Sequence, residues 1–218
     1  MINKIISIEE AADKVKNGMT IMVGGFLANG TPEAIIDELV RKNVRNLTLI
    51  CNDTGFPDKG VGKMVVNKQF KKIIASHVGT NPETANQINS GETEVVLTPQ
   101  GTLAEQIRCG GTGLGGFLTP TGIGTEVEEG KEKKVINGKE YLLELPLRAD
   151  VALLKAKRVD KKGNMIFAKS ARNFNPLMAM AADIVIVQAD EIVEIGEIDP
   201  EHVMSSGIFV DYIVGGDI

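Results

Sequence analysis

Short apolar runs and helix-start signals alternate through the first hundred residues, and few protein architectures produce this alternation. The runs that predict buried strands lie at 19–23, 47–50, 72–75 and 94–97. A helix signal follows each of the first three runs, which is typical of a parallel sheet with crossover helices. We therefore predict an α/β fold in which residues 1–218 form a single domain, with a mixed, mostly parallel sheet and flanking helices.

Capping residues mark three of the helix starts. Ser7 opens a Ser-Ile-Glu-Glu capping box, with Glu10 at the third helical position. Thr31 is expected to cap a second helix that begins at Pro32 and carries its apolar residues on one face. The pair Asn81-Pro82 predicts a third helix by the same chemistry.

The alternation of strand and helix signals stops after Cys109. The glycine-rich stretch 110–125 has no helical period, so we predict an ordered surface or interface loop there. Asn137-Gly138 lies between two β-like runs and predicts a type I′ hairpin over 133–143. The other elements are expected as a helix at 103–108, strands at 151–156 and 183–189, a hairpin at 158–168, and a helix from Asn175-Pro176. The sheet should therefore carry antiparallel hairpin additions.

Composition excludes several classes of protein. The net charge is −5, aromatic residues make up 4% of the chain and there is no tryptophan, which disfavours nucleic-acid binding. Cys51 and Cys109 lack the spacing of a disulfide framework or a zinc site. His77 and His202 are far apart, with no carboxylate at a ligand spacing, so no metal is expected. The chain shows no signal-peptide or membrane-helix pattern, and we expect a cytoplasmic protein.

The strongest candidate site is the stretch VGGFLANGTP at 23–32. A strand that runs into a glycine loop and then a capped helix gathers backbone N–H groups and the positive end of a helix dipole. Such a loop suits a phosphate, a carboxylate or a developing oxyanion. The alternative is a tight connection that binds nothing.

Weaker candidates lie elsewhere. Gly111, Gly113 and Gly116 match the spacing of a dinucleotide fingerprint, but they follow a helix rather than a strand, so a Rossmann site is not expected. Cys51 follows a strand, where a nucleophilic thiol is possible although a small buried thiol is the commoner case. His77 also follows a strand, and its role stays open.

Several long motifs resemble the A (alpha) subunits of family I CoA-transferases. The segment NGMTIMVGGFLANGTP at 17–32 contains every fixed position of that family's signature. The resemblance continues through LTPQGTLAEQIRCGGTGLGGFLTPTGIGT at 97–125, ELPLRADVALLKA at 144–156 and GNMIFAKSARNFNPLMA at 163–179. It covers nearly the whole chain and extends to the subunits that act on acetate or butyrate with acetoacetate, and to the 3-oxoacid enzymes.

The resemblance implies a ping-pong transfer of coenzyme A between a short acyl-CoA and a free carboxylic acid. In the family, the nucleophile is a glutamate of the B (beta) subunit in a Ser-Glu-Asn-x-Gly motif, and the subunits assemble as A2B2 or are fused. This chain has no such motif, so no catalytic nucleophile is expected in it and it should be inactive without its beta partner.

The family's CoA-binding stretch corresponds here to Gly24, Gly25, Phe26, Leu27, Ala28, Asn29 and Gly30. Asn52 and Gln100 match positions that line the acyl pocket, although both amides could equally cap loops. Two other hypotheses remain: a non-catalytic α/β sensor of a phosphorylated metabolite, and a thiol enzyme using Cys51 or Cys109.

Overall fold

The computed structural model describes residues 3–215, and the terminal residues 1–2 and 216–218 of the predicted domain lie outside the described part. The helices are α1 (Ile8–Ala12), α2 (Glu33–Lys42), α3 (Gly62–Val66), α4 (Pro82–Ser90), α5 (Gln100–Thr112) and α6 (Asn175–Met178). The strands are β1 (Thr20–Val23), β2 (Leu47–Asp53), β3 (Phe70–His77), β4 (Glu94–Leu97), β5 (Phe117–Thr119), β6 (Lys133–Ile136), β7 (Lys139–Glu144), β8 (Ala149–Asp160), β9 (Met165–Ile166), β10 (Ala182–Val193) and β11 (Tyr212–Gly215).

The main sheet confirms the predicted class. Its strand order is β11-β10-β8-β1-β2-β3-β4, and all of these neighbours pair in parallel. The short strand β9 adds to β8 in the antiparallel direction. A separate antiparallel sheet has the order β5-β7-β6. The carboxyl ends of β1, β2 and β3 therefore meet at one edge, where open α/β sheets bind their ligands.

Helices cover both faces of the main sheet. The apolar side chains of α1, α2 and α3 pack on one face, around Ile21, Leu49 and Leu153. Those of α5 and α6 pack on the other face, around Met22, Ile50 and Ala152. Consecutive residues of β1 and β2 thus enter opposite cores, which explains why these strands appear as continuous apolar runs rather than as alternating ones.

Two of the three predicted caps are confirmed. Ser7 and Glu10 form the reciprocal capping box, and the Asn81 side chain accepts a hydrogen bond from Glu83 N. The prediction for α2 is wrong, because Pro32 is the N-cap residue and the Thr31 side chain makes no capping bond. The Gln188 side chain from β10 caps this helix instead: its Oε1 accepts from Ala34 N at 3.0 Å and from Ile35 N at 3.3 Å. A contact between residues so far apart in the chain cannot be predicted from the sequence around the helix.

Helix α5 is longer than predicted at both ends and includes the first glycines of the stretch expected to be a loop. A β-carbon on Gly110 would lie 1.9 Å from the Leu147 carbonyl oxygen, and one on Gly111 would lie 2.6 Å from Met180 Cβ. Close packing against neighbouring segments therefore requires glycine here. Residues without side chains carry no hydrophobic period, so the pattern failed to show the helix.

The hairpin predictions are confirmed. Asn137 and Gly138 have φ values of 52° and 76°, as a type I′ turn requires, and they join β6 to β7. The chain reverses again between β8 and β9 around Gly163. Within residues 3–215, the longest apolar helical stretch falls short of what a bilayer crossing needs.

Candidate functional site

A cleft of about 390 Å³ opens at the carboxyl edge of β1, β2 and β3. It is lined by Phe26, Leu27, Asn52, Asp53, Ser76, His77, Thr80 and Gln100. The structure thus brings together two residues of the predicted CoA-binding stretch, both predicted pocket amides and the unassigned His77. These residues come from four separate segments that meet only because the strands are parallel and adjacent.

The loop after β1 is a tight turn in a strained conformation. Phe26 and Asn29 exchange backbone hydrogen bonds of 3.0 and 2.9 Å. Between them, Leu27 and Ala28 have φ values of 47° and 63°, a left-handed conformation that costs roughly 1–2 kcal/mol per non-glycine residue. The Asp53 carboxylate holds the turn in place, because its Oδ2 accepts from Leu27 N at 2.9 Å. The side chains of Phe26 and Leu27 are exposed toward the cleft.

The glycines of this loop make room for the protein itself rather than for a ligand. A β-carbon on Gly24 would lie 1.9 Å from Asn175 Oδ1, and one on Gly25 would lie 2.1 Å from Thr31 Oγ1. At Gly30 the same space is filled by the Ala171 carbonyl oxygen, at 2.7 Å. At Gly24, Gly25 and Gly30, the space that a side chain would occupy is therefore filled by other parts of this chain.

Most N–H groups of the loop already have acceptors. Gly24 N donates to the Leu153 carbonyl, Gly25 N to Asn173 Oδ1 and Leu27 N to Asp53. In the described part of the chain, the amides of Ala28 and Gly30 make no hydrogen bond. Since Gln188 occupies the first-turn amides of α2, the expected contribution of the helix dipole and its donors to an anion cradle is not found.

A chain of hydrogen bonds fixes the two predicted pocket amides. Asn52 Nδ2 donates to Asp53 Oδ2 at 2.7 Å, and Gln100 Nε2 donates to Asn52 Oδ1 at 2.8 Å. A carboxylate only accepts, so Asp53 determines which end of the Asn52 amide faces it, and Asn52 in turn orients Gln100. Each NH₂ group retains a second N–H, and Gln100 is exposed in the cleft. Asn52 is 2% exposed, so Gln100 is the member of the pair that can present an oriented donor to an oxygen of a ligand.

Sequence reasoning missed Asp53, which organises this site. It is 5% exposed, and its oxygens accept from Leu27 N, from Asn52 Nδ2 and, at 2.9 Å, from Gly55 N. Its signal was its position as the last residue of a strand at the ligand-binding edge, because a buried carboxylate there requires several donors.

A second turn repeats the first one beside it. After β2, Phe56 and Lys59 exchange backbone hydrogen bonds as Phe26 and Asn29 do, and both turns read Gly-Phe-x-x-x-Gly in the sequence. The two turns are in contact: a β-carbon on Gly60 would lie 3.1 Å from Ala28 Cβ, and Gly60 N donates to a carboxylate oxygen of Glu33 at 2.7 Å. The repeat was visible in the sequence.

Neither cysteine is placed for nucleophilic chemistry. Cys51 and Cys109 are both buried free thiols. Burial, and secondarily the nearby Asp53 carboxylate, raise the pKa of the Cys51 thiol well above its usual range. A buried, protonated thiol is a poor nucleophile, because the thiolate is the reactive form. The structure therefore argues against the thiol-enzyme hypothesis.

Metal-binding groups are dispersed. Between residues 3 and 215, no three His, Cys, Asp or Glu side chains gather closely enough to hold a metal ion. His202 lies on the surface near Asp199, while His77 lines the cleft.

Comparisons with known proteins identify relatives that match this chain over nearly its whole length. The family model described as Coenzyme A transferase matches residues 5–216. The chain is 56% identical to an acetate CoA-transferase subunit alpha of Escherichia coli K12, over 98% of this chain and 97% of that one. It is 53% identical to an acetoacetyl-CoA:acetate/butyrate CoA transferase alpha subunit of Clostridium acetobutylicum, over 98% of each chain.

A solved structure shows the same fold. The acyl-CoA transferase of Escherichia coli O157:H7, in a thioester complex with CoA, superposes with a TM-score of 0.86 at 22% identity. The match covers 98% of this chain and 47% of that one, so the chain spans about half the length of this structural neighbour. With a family model over nearly its whole length and relatives above 50% identity, this chain belongs to the coenzyme A transferase family.

Proposed function

We propose that this chain is the alpha subunit of an enzyme that moves CoA between a short-chain acyl-CoA and a free carboxylic acid, of the acetate/butyrate and acetoacetate class. The observation that carries the proposal is the cleft, which offers oriented amide donors beside an apolar rim. The names of the Escherichia coli and Clostridium acetobutylicum relatives support the same class of substrate.

The attacking carboxylate comes from a beta subunit. Among the described residues that line the cleft, Asp53 is the carboxylate, and three donors engage its buried oxygens. A carboxylate held in this way is a poor nucleophile, because attack would require it to give up these hydrogen bonds. The partner's glutamate attacks the acyl-CoA thioester, which expels CoA thiolate and forms an acyl-glutamyl anhydride. The thiolate then attacks the glutamyl carbonyl, which releases the donor acid and leaves a glutamyl-CoA thioester. The acceptor acid attacks this thioester and expels CoA thiolate, which then attacks the acyl carbonyl of the new anhydride to give the product acyl-CoA and free the glutamate.

The residues of this chain bind and orient the reactants. Gln100, oriented by Asn52 in the wall of the cleft, donates its second N–H to a thioester or carboxylate oxygen, where negative charge develops during acyl transfer. Phe26 and Leu27 supply apolar contact area for the acyl or pantetheine chain, and the N–H of Ala28 is a further donor. Coenzyme A enters as part of the substrate, no metal takes part, and the enzyme is an A2B2 assembly of the cytoplasm.

The test is to co-express this chain with a beta subunit that carries Ser-Glu-Asn-x-Gly and to measure CoA transfer from acetoacetyl-CoA to acetate and to butyrate. Gln100→Leu should lower kcat/KM by about 10²-fold, the usual effect of losing one oxyanion donor. Asn86→Ala, which removes an exposed amide on α4, is the matched control and should leave kcat/KM within twofold. Full activity of the isolated chain, or no transfer by the assembled pair, would reject the proposal.

The sensor hypothesis predicts different behaviour. A phosphate sensor needs unoccupied donors at a helix N-terminus beside the glycine loop, and Gln188 already occupies those of α2. Calorimetric titration with acetyl-CoA and with a sugar phosphate separates the two functions, because a sensor should prefer the sugar phosphate.

A further inference from the structure

A groove of about 470 Å³ runs along the start of α5, next to the cleft. It is lined by Gly101, Thr102, Glu105, Phe117, Leu118, Thr119 and Thr121. Gln100 borders the cleft and Gly101 borders the groove, so the two depressions meet at the first turn of this helix.

The first turn of α5 lacks the capping that the other long helices have. Its N-cap residue is Pro99, and the N–H groups of Gln100, Gly101 and Thr102 make no hydrogen bond to any residue of 3–215. By contrast, side chains cap the first turns of α2 and α4. A helix end with three vacant donors carries a partial positive charge and attracts an acceptor from outside the chain.

The Thr102 hydroxyl is a second, independent indication that the first turn of α5 lacks hydrogen-bond partners. Thr102 is 3% exposed, and its Oγ1 has no hydrogen-bond partner among the described residues. Buried hydroxyls are almost always paired in folded proteins, since an unpaired one loses its hydrogen bonds to water without replacement. The first turn of α5 therefore contains hydrogen-bonding groups that have no partner among the described residues.

Exposed leucines lie before, after and beside the same helix. Leu97, which precedes α5, is 56% exposed, Leu118 of the groove is 36% exposed, and Leu145, which follows β7, is 62% exposed. Leu114, just after the helix, is also exposed. The Leu147 N–H donates to the Gln106 carbonyl of α5 at 2.9 Å, which places the segment after β7 against this helix. Leu118 lines the groove and Leu97 lies just before α5, so exposed apolar area adjoins the unpaired first turn, as at an interaction surface.

We propose that this groove is the docking surface for the beta subunit, which covers Leu118 with an apolar segment and places a carboxylate or carbonyl acceptor against the Gln100–Thr102 amides. The inference rests on the proposed function, in which the attacking carboxylate enters the cleft from another chain. A segment that reaches the cleft beside Gln100 passes over the first turn of α5. Its acceptor complements the positive helix end, and its apolar residues complement the leucines.

The experiment compares three variants co-expressed with the beta subunit. Gly101→Glu tests the groove because a β-carbon there meets no atom of this chain within 4 Å, and an acidic residue in a first turn favours the helix. Its isolated chain should therefore melt no lower than the wild type, while its carboxylate repels the partner's acceptor. Leu118→Glu removes the apolar contact. Ile88→Glu, at a similarly exposed position on α4, is the matched control.

The assembled complexes are diluted and followed by analytical ultracentrifugation. Gly101→Glu and Leu118→Glu should each raise the dissociation constant at least 30-fold, and Ile88→Glu should change it less than threefold. If both groove variants assemble as the wild type does, or if Ile88→Glu dissociates as readily as they do, the docking proposal is overturned. CoA transfer by the wild-type pair is scored separately, so an active pair with unaffected groove variants refutes the docking surface and leaves the proposed function intact.

Discussion

Replacing Gly24 by alanine should disturb the loop at 24–30, which follows β1. The added β-carbon would lie 1.9 Å from Oδ1 and 2.6 Å from Cγ of Asn175, a contact that no rotation of a methyl group relieves. Asn175 is fully buried, so it has no solvent-filled space into which it can turn. Either the Asn175 side chain or the backbone at residue 24 must move.

The cost follows from the hydrogen bonds that Asn175 makes. Its Nδ2 donates to the Gly30 carbonyl at 3.0 Å and to the Ala171 carbonyl at 2.9 Å, while its Oδ1 accepts from Lys155 N at 3.1 Å. Each buried polar group left without a partner costs about 1–3 kcal/mol. Loss of all three gives about 3–9 kcal/mol, a large part of a typical free energy of unfolding of about 5–15 kcal/mol.

Urea unfolding of the purified chain, followed by circular dichroism, measures this change as a lower midpoint at an unchanged slope. Gly115→Ala is the control, because a β-carbon there meets nothing within 4 Å and the backbone lies outside the strained region. In the assembled enzyme, Gly24→Ala should also raise the KM for acyl-CoA, since Asn175 no longer holds Gly30. An unfolding free energy within about 1 kcal/mol of the wild type would refute the assignment of this glycine to internal packing, at the lower limit of the cost of one orphaned group.

Three further changes test other parts of the site. Asp53→Asn keeps at most two of the three donors satisfied, so it should destabilise the chain by about 1.5–3 kcal/mol and raise the KM for acyl-CoA; an unchanged KM would argue against a role in holding the turn. Gln188→Met removes the acceptor at the start of α2 and should lower the free energy of unfolding by about 1 kcal/mol. The amide of Ala34 should then exchange faster than in the wild type, while amides at the end of the helix should not. Cys51 should resist a thiol reagent at pH 8 until the chain unfolds, because its raised pKa keeps it protonated; immediate labelling of the native protein would contradict this.

Features determined by neighbours in the chain were predictable. The strand positions came from apolar runs, and the Asn81 cap and the Asn137-Gly138 turn came from local backbone chemistry. Both predicted pocket amides, Asn52 and Gln100, line the same cleft, although that expectation came from the family resemblance rather than from spacing.

Features determined across the fold were not predictable. The cap on α2 comes from Gln188, more than 150 residues away, and the reach of α5 through Gly111 depends on the closeness of Met180. The position of Asp53 after a strand was only a partial signal, because the Leu27 N–H that it holds reaches it from another loop. A glycine pattern likewise cannot distinguish space for a ligand from space for another side chain.

The contact between the two Gly-Phe turns couples the loop at 24–30 to a segment that does not line the cleft. Ala28 packs against Gly60, and Glu33 of α2 accepts from the Gly60 amide. Sequence change in the 55–60 turn can thus shift Leu27 without altering any residue that lines the cleft. On the proposed function, such a change would alter acyl preference, and directed evolution confined to cleft-lining positions would overlook it.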